Sequence, residues 1–151
     1  MQVAFSFPFS YEEVQADTAR IAAVAEARPD VHFHRSHLVD SLKGHRVDLL
    51  TLTACPDESD EPFSPMARPA DPAGILFPQG GSAQPDFTSR PRVFVSARVH
   101  PGETPAQFAL QGFLDFLLRP DDPRSAALLR KYVFLIVPVL NPDGLVLGHY
   151  R

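Results

Sequence analysis

The sequence predicts an α/β fold with a mixed sheet flanked by helices, and three segments predict it. RVFVSARV, residues 92–99, and Tyr132 to Leu140 are near-continuous apolar runs of strand length. Between them, Thr104 to Leu118 has the periodicity of a helix. Strand, helix, strand in that order is a βαβ unit, which pairs its strands in parallel through a right-handed crossover. Two earlier strands joined by a tight turn add an antiparallel part, so the sheet is mixed.

The elements follow in chain order. Ser10 caps a first helix with Glu12 and Glu13 in its opening turn and Val14, Ala19, Ile21, Ala22 and Ala25 as its apolar stripe. Arg28-Pro29 ends it. VHFHRSHLV (31–39) and the segment His45 to Thr53 read as a hairpin, with Lys43-Gly44 at its turn. Residues 56–91 hold eight of the 16 prolines, together with six acidic residues, and read as a proline-rich insert without a regular ladder or helix. The run at 92–99 is expected to be buried on both faces. The helix after it is capped by Thr104, takes Pro105 in its first turn, and carries Gln107, Gln111 and Asp115 as a polar stripe among apolar residues. Pro120 and Pro123 stop it before a short helix at Ser125 to Lys131.

The bulk properties bound the function. With 151 residues, 44% hydrophobic content and 12 Phe, the chain can build one real core. A net charge of -4 disfavours nucleic acid as a partner, because that affinity rests on clustered Lys and Arg. The single Cys55 excludes an intrachain disulfide framework. The first residues lack the basic and apolar regions of a secretory signal, and no run reaches the roughly 18 apolar residues of a spanning helix. A cytoplasmic protein with no membrane segment is the expectation.

Two turns follow directly on predicted strands, where open α/β sheets place their working residues. In His100-Pro-Gly-Glu103 a Pro-Gly turn curls the backbone so that an imidazole and a carboxylate can face one centre. Zinc accepts both donor types, and a catalytic site generally uses three protein ligands and one water. Taken alone, the pair also fits a strand-end histidine and an acid placed near a helix N-terminus. Asn141-Pro-Asp-Gly144 is by itself a turn signal.

Taken together these words resemble a known family. SARVHPGETPAQFALQGFLDFLLRPDDP, then VFLIVPVLNPDG, then GHYR are similar to the cytosolic carboxypeptidase branch of the M14 zinc metallocarboxypeptidases, most of all to members that remove glutamates from tubulin tails. FSFPFSYEEVQ and HRVDLLTLTAC extend the resemblance over most of the chain outside 56–91. The resemblance implies that residues 1–151 are the N-terminal part of a peptidase M14 catalytic domain. It also implies Zn2+ as cofactor, His100 and Glu103 as two metal ligands, Arg151 as a substrate-binding residue, and polyglutamylated protein tails such as tubulin's as partners. Cytoskeletal association would follow from such a substrate.

The family's third zinc ligand, its Asn-Arg clamp and its catalytic glutamate would lie beyond Arg151, so no catalytic residue is assigned and the chain alone is expected to be inactive. His149 is the only histidine after the pair and a poor candidate for the third ligand. His32, His34, His37 and His45 read as hairpin residues, Arg98 as an ion-paired strand residue and Cys55 as a packed thiol. Two rival functions stand beside this one: an inactive remnant that binds peptide tails, and a zinc amidohydrolase acting on acylated amino acids. A sheet left with an unpaired apolar edge also predicts poor solubility for the isolated chain.

Overall fold

A computed structural model describes residues 6–56, 87 and 89–151. The elements run α1 (Tyr11–Glu26), β1 (Val31–Asp40), β2 (Arg46–Ala54), β3 (Arg92–Ser96), α2 (Thr104–Leu117), α3 (Pro123–Lys131), β4 (Val133–Val137) and α4 (Pro142–Val146). The four strands form one sheet in the order β1-β2-β4-β3. β1 and β2 are an antiparallel hairpin, β2 and β4 are antiparallel, and β3 and β4 are parallel. This is the mixed α/β sheet the sequence predicts. All but a few residues of the proline-rich insert lie outside the described residues.

Local chemistry explains the elements. Ser10 and Glu13 close a capping box at the start of α1, the Ser10 hydroxyl accepting from the Glu13 amide at 3.2 Å and the Glu13 carboxylate from the Ser10 amide at 2.6 Å. Its buried face, Val14, Thr18, Ile21 and Ala25, recurs at the spacing of one helical stripe. Gly44, at φ +81°, turns the hairpin in a conformation that favours glycine. Asp122 caps α3, which begins at Pro123, two residues before the expected start.

The register builds the core. Leu50 lies beside Ile136 and Ile136 beside Val95, while Leu52 lies beside Phe134 and Phe134 beside Val93. On that face Ile21 and Ala25 of α1, Leu110, Leu114 and Leu117 of α2 and Leu129 of α3 complete one cluster. Fully burying such a side chain contributes about 1.5–3 kcal/mol. On the opposite face Thr51, Leu135 and Phe94 stand in a row, and Phe94 is 63% exposed. β3 is therefore not buried on both faces. It is an edge strand among the described residues, and its side chains alternate between exposed and half-buried positions. Its apolar composition fits either environment; the neighbouring strands decide which one it meets.

α2 differs from expectation in two ways. Thr104 is its first residue rather than its cap, and its hydroxyl pairs with that of Ser6 at 2.8 Å. Gln107 belongs to the buried row with Leu110, Leu114 and Leu117, whereas Phe108 is partly exposed against the edge of the Phe9 ring. Gln111 and Asp115 do lie on one stripe, and α1 explains why: Gln111 donates to Asp17 at 3.0 Å and Arg20 donates to Asp115 at 2.8 Å. The stripe is a polar seam between two helices.

Three buried polar groups tie the sheet to its surroundings. Thr53 donates to the carbonyls of Leu129 and Tyr132 and accepts from Arg90, which also donates to the Ala54 carbonyl. Asp48 accepts from Arg35 at 2.6 Å and from Arg46. Burial alone would raise the Asp48 carboxyl, but the two guanidinium partners outweigh it and hold the group below the usual carboxylate range. Removing an acid from a buried pair costs about 3–5 kcal/mol. Here both arginines reach solvent, which reduces the cost of leaving them unpaired. Asp48→Ala should lower the unfolding free energy by about 2 kcal/mol in urea at pH 7. The loss should shrink as pH falls from about 4 through the lower folded pKa of Asp48. A difference independent of pH would contradict the assignment.

Two hairpin histidines give the opposite pH sign from a paired histidine. Burial pushes His32 down, with the charge of His34 adding to it, and burial pushes His34 down as well. The folded chain thus prefers them neutral, while the unfolded chain takes up protons near pH 6.5. Stability should fall as pH drops from about 6.5 toward their folded values. His32 packs against Phe87 with ring centroids 5.2 Å apart, so His32→Phe should flatten the stability profile between about pH 7 and 5 in thermal melts.

Candidate metal centre

The parallel pairing of β3 and β4 continues past the strands. Ala97 donates to the Val137 carbonyl at 3.1 Å, Leu140 to that of Ala97 at 3.0 Å and Asn141 to that of Arg98 at 3.2 Å. Two chain segments are thereby fixed side by side. One leads into His100-Pro-Gly-Glu103 and the other into Asn141-Pro-Asp-Gly144, which opens α4 with Asn141 as its N-cap, accepting from the Gly144 amide at 2.9 Å. Gly144 lies so close to the first turn that a Cβ there would sit 2.5 Å from Cγ of Pro101.

Within the first turn the Glu103 amide donates to the His100 carbonyl at 3.1 Å, and Nδ1 of His100 lies 2.8 Å from Oε1 of Glu103. Glu103 is the N-cap residue of α2, yet its side chain makes no capping bond. The carboxylate is turned to the imidazole. The chain end returns to the same turn: the Gly102 amide donates to the Tyr150 carbonyl at 2.8 Å, and Nη2 of Arg151 lies 3.5 Å from Nε2 of His100. A Cβ on Gly102 would sit 2.5 Å from the Tyr150 ring, so glycine permits this approach. The structure brings together all three residues that the sequence singles out.

The donor set suits zinc in type and convergence. In a tetrahedral site with bonds of about 2.0–2.1 Å, neighbouring ligand atoms stand about 3.3 Å apart, so an imidazole nitrogen and a carboxylate oxygen already 2.8 Å apart need little rearrangement. Both side chains are partly exposed, which leaves an approach open. Among the described residues no group of three His, Cys, Asp or Glu gathers, so His149 does not complete the set.

Residues 18–151 match the zinc carboxypeptidase family, Peptidase M14. The chain belongs to that family. It is 43% identical to the rat cytosolic carboxypeptidase-like protein 5 over 98% of this chain and 18% of the relative. It is 33% identical to the zebrafish (Danio rerio) cytosolic carboxypeptidase 1 over 98% of this chain and 11% of that protein. Among solved structures, the metallo-carboxypeptidase of Burkholderia cenocepacia superposes with a TM-score of 0.66 at 24% identity, covering 95% of this chain and 30% of its own. The metallo-carboxypeptidase of Pseudomonas aeruginosa, solved with (2-guanidinoethylmercapto)succinic acid, gives 0.61 at 25% identity over 95% and 28%. The chain thus spans less than a third of these proteins. No described helix is long and apolar enough to cross a membrane.

Arg98 differs from its sequence reading. It is 2% exposed and makes no ion pair among the described residues; its guanidinium donates to backbone carbonyls, twice to Pro101 and once to Phe9. Burial pushes its pKa down. Nothing in its residue type signals this position, and the strand pattern conceals it. Cys55 is half-buried, its thiol 3.3 Å from the Pro29 carbonyl.

The close approach of the two turns can be tested. Gly144→Ala should force the Pro101 ring and Asn141 apart from residue 144, with a loss of about 1–3 kcal/mol in chemical denaturation. An unchanged midpoint would mean that the turns do not touch.

Proposed function

We propose that this chain carries part of the active site of a zinc carboxypeptidase that removes glutamate from the tails of cytoplasmic proteins such as tubulin. The convergence of His100 Nδ1 and Glu103 Oε1 at the end of β3 is the observation that supports it most. His100 and Glu103 would hold the metal. When bound, zinc lowers the pKa of its water and polarises a carbonyl, the chemistry that amide hydrolysis needs.

The chain's own residues have separable tasks. Glu103 contributes negative charge and orients the imidazole; with the His100 proton on Nδ1 toward Glu103, Nε2 is left as an acceptor facing Arg151. To ligate through Nδ1, the ring must carry its proton on Nε2 instead. Arg151 offers a planar fork of N–H donors beside that ring, suited to a peptide carboxylate through two charge-assisted hydrogen bonds. On this reading the third ligand and the carboxylate that takes a proton from water come from outside residues 1–151. The cytoplasmic location rests on the relatives, which are named cytosolic carboxypeptidases.

The test uses the full natural protein with synthetic peptides ending in linear or branched glutamate. Bound zinc is measured by mass spectrometry and released glutamate by an enzymatic assay. His100→Ala and Glu103→Gln should each lower zinc content and reduce glutamate release at least a hundredfold. Arg151→Ala should keep zinc and raise KM. Glutamate release that survives His100→Ala would sink the metal assignment, and zinc binding without release from either peptide would favour a tail-binding remnant.

A further inference from the structure

We propose that Arg98 is a positioning residue for the metal-binding turn: its buried guanidinium fixes the curl of residues 98–103 that points His100 and Glu103 at one centre. The inference rests on the zinc reading of that pair and adds a residue that touches neither metal nor substrate.

Three observations on the page carry it. Nε and Nη2 of Arg98 both donate to the Pro101 carbonyl, at 3.0 and 2.5 Å, closing a ring across the turn from two residues before His100 to one residue after it. Nη1 donates at 3.1 Å to the carbonyl of Phe9, just ahead of α1, so the turn is also tied to a distant part of the chain. Arg98 itself has φ +58°, a left-handed conformation that disfavours side chains, while its own carbonyl accepts from Asn141. A residue held in that region usually signals that its side chain or its backbone direction is needed there.

The chemistry calls for an arginine. Among the described residues no anion pairs with this buried cation, and the carbonyl dipoles of Pro101 and Phe9 compensate it. A guanidinium can reach Pro101 with two N–H groups and Phe9 with a third in one plane, which an ammonium cannot reproduce. Glycine would relax the backbone at φ +58° and remove all three bonds. The glycine variant therefore isolates the side chain from the strain.

The test compares the full protein with Arg98→Gly, Arg98→Lys, His100→Ala and a distant core control, Ile21→Val, which is expected to lower the melting temperature modestly. Zinc affinity is read by competition with a chromophoric chelator well below every melting temperature. Hydrogen exchange of the Gly102, Glu103 and Thr104 amides is read on the metal-free proteins. Arg98→Gly should weaken zinc at least tenfold and speed exchange of those three amides at least tenfold, Arg98→Lys should fall between it and the parent, and Ile21→Val should change neither. Wild-type affinity in Arg98→Gly overturns the proposal, as does an equal loss in Ile21→Val. Should zinc binding not depend on His100, the zinc reading fails on its own, and the amide exchange then decides whether Arg98 orders the turn. Unchanged exchange in Arg98→Gly overturns that as well.

Discussion

The arrangement depends on the parallel pairing of β3 with β4 and on its continuation through Ala97, Arg98, Leu140 and Asn141. Parallel strands end at the same edge of a sheet, so the turns that follow them emerge as neighbours. An antiparallel pair would have sent His100 and Asn141 to opposite ends. The hairpin at the other side of the sheet reaches the same edge, where Ser41 and the Lys43 amide both bond to the Asp143 carboxylate. α4 is thereby held from both sides, against the His100 turn and against the hairpin tip. The apolar core does not select this outcome, since it places the strands without fixing what their ends carry.

The site is organised by backbone. The Gly102 amide meets the Tyr150 carbonyl, the Leu140 and Asn141 amides meet the carbonyls of Ala97 and Arg98, and glycine at 102 and 144 allows approaches that a Cβ would block. Such contacts hold the two side chains near one another before anything binds, and groups restrained in advance lose less conformational entropy on binding. Exposure of His100 and Glu103 is compatible with that order because the groups that restrain them are not themselves the donors. This division also explains why a buried arginine can sit beside the site without belonging to its chemistry.

Much of the fold was legible in residue pattern. The helix cap at Ser10, the hairpin glycine, the periodicity of α2 and the βαβ order each act locally, and local rules transfer to the folded chain. What failed was set by partners. The apolar β3 reads as doubly buried, yet burial depends on which strands flank it. Gln107 looks like part of a polar stripe until the placement of α1 against Gln111 and Asp115 turns the helix so that residue 107 faces inward. Arg98 reads as an ion-paired strand residue because sequence carries no record of φ or of a carbonyl on another element. Arg151 could be singled out by resemblance, whereas its place beside the His100 ring comes only from the return of the chain across Gly102.

Glu103 does not behave as an ordinary acid ahead of a helix. An acid just ahead of a helix ordinarily accepts from the free amides of the first turn and is stabilised by the helix dipole. Here Glu103 occupies the cap position and makes no such bond, while Ala106 donates its amide to the Glu103 main-chain carbonyl. The side chain faces an imidazole instead. The position thus offers a carboxylate whose oxygens are not committed to the helix amides. At the end of the His100-Pro-Gly-Glu103 turn the carboxylate faces the His100 ring rather than the amides of the first helical turn.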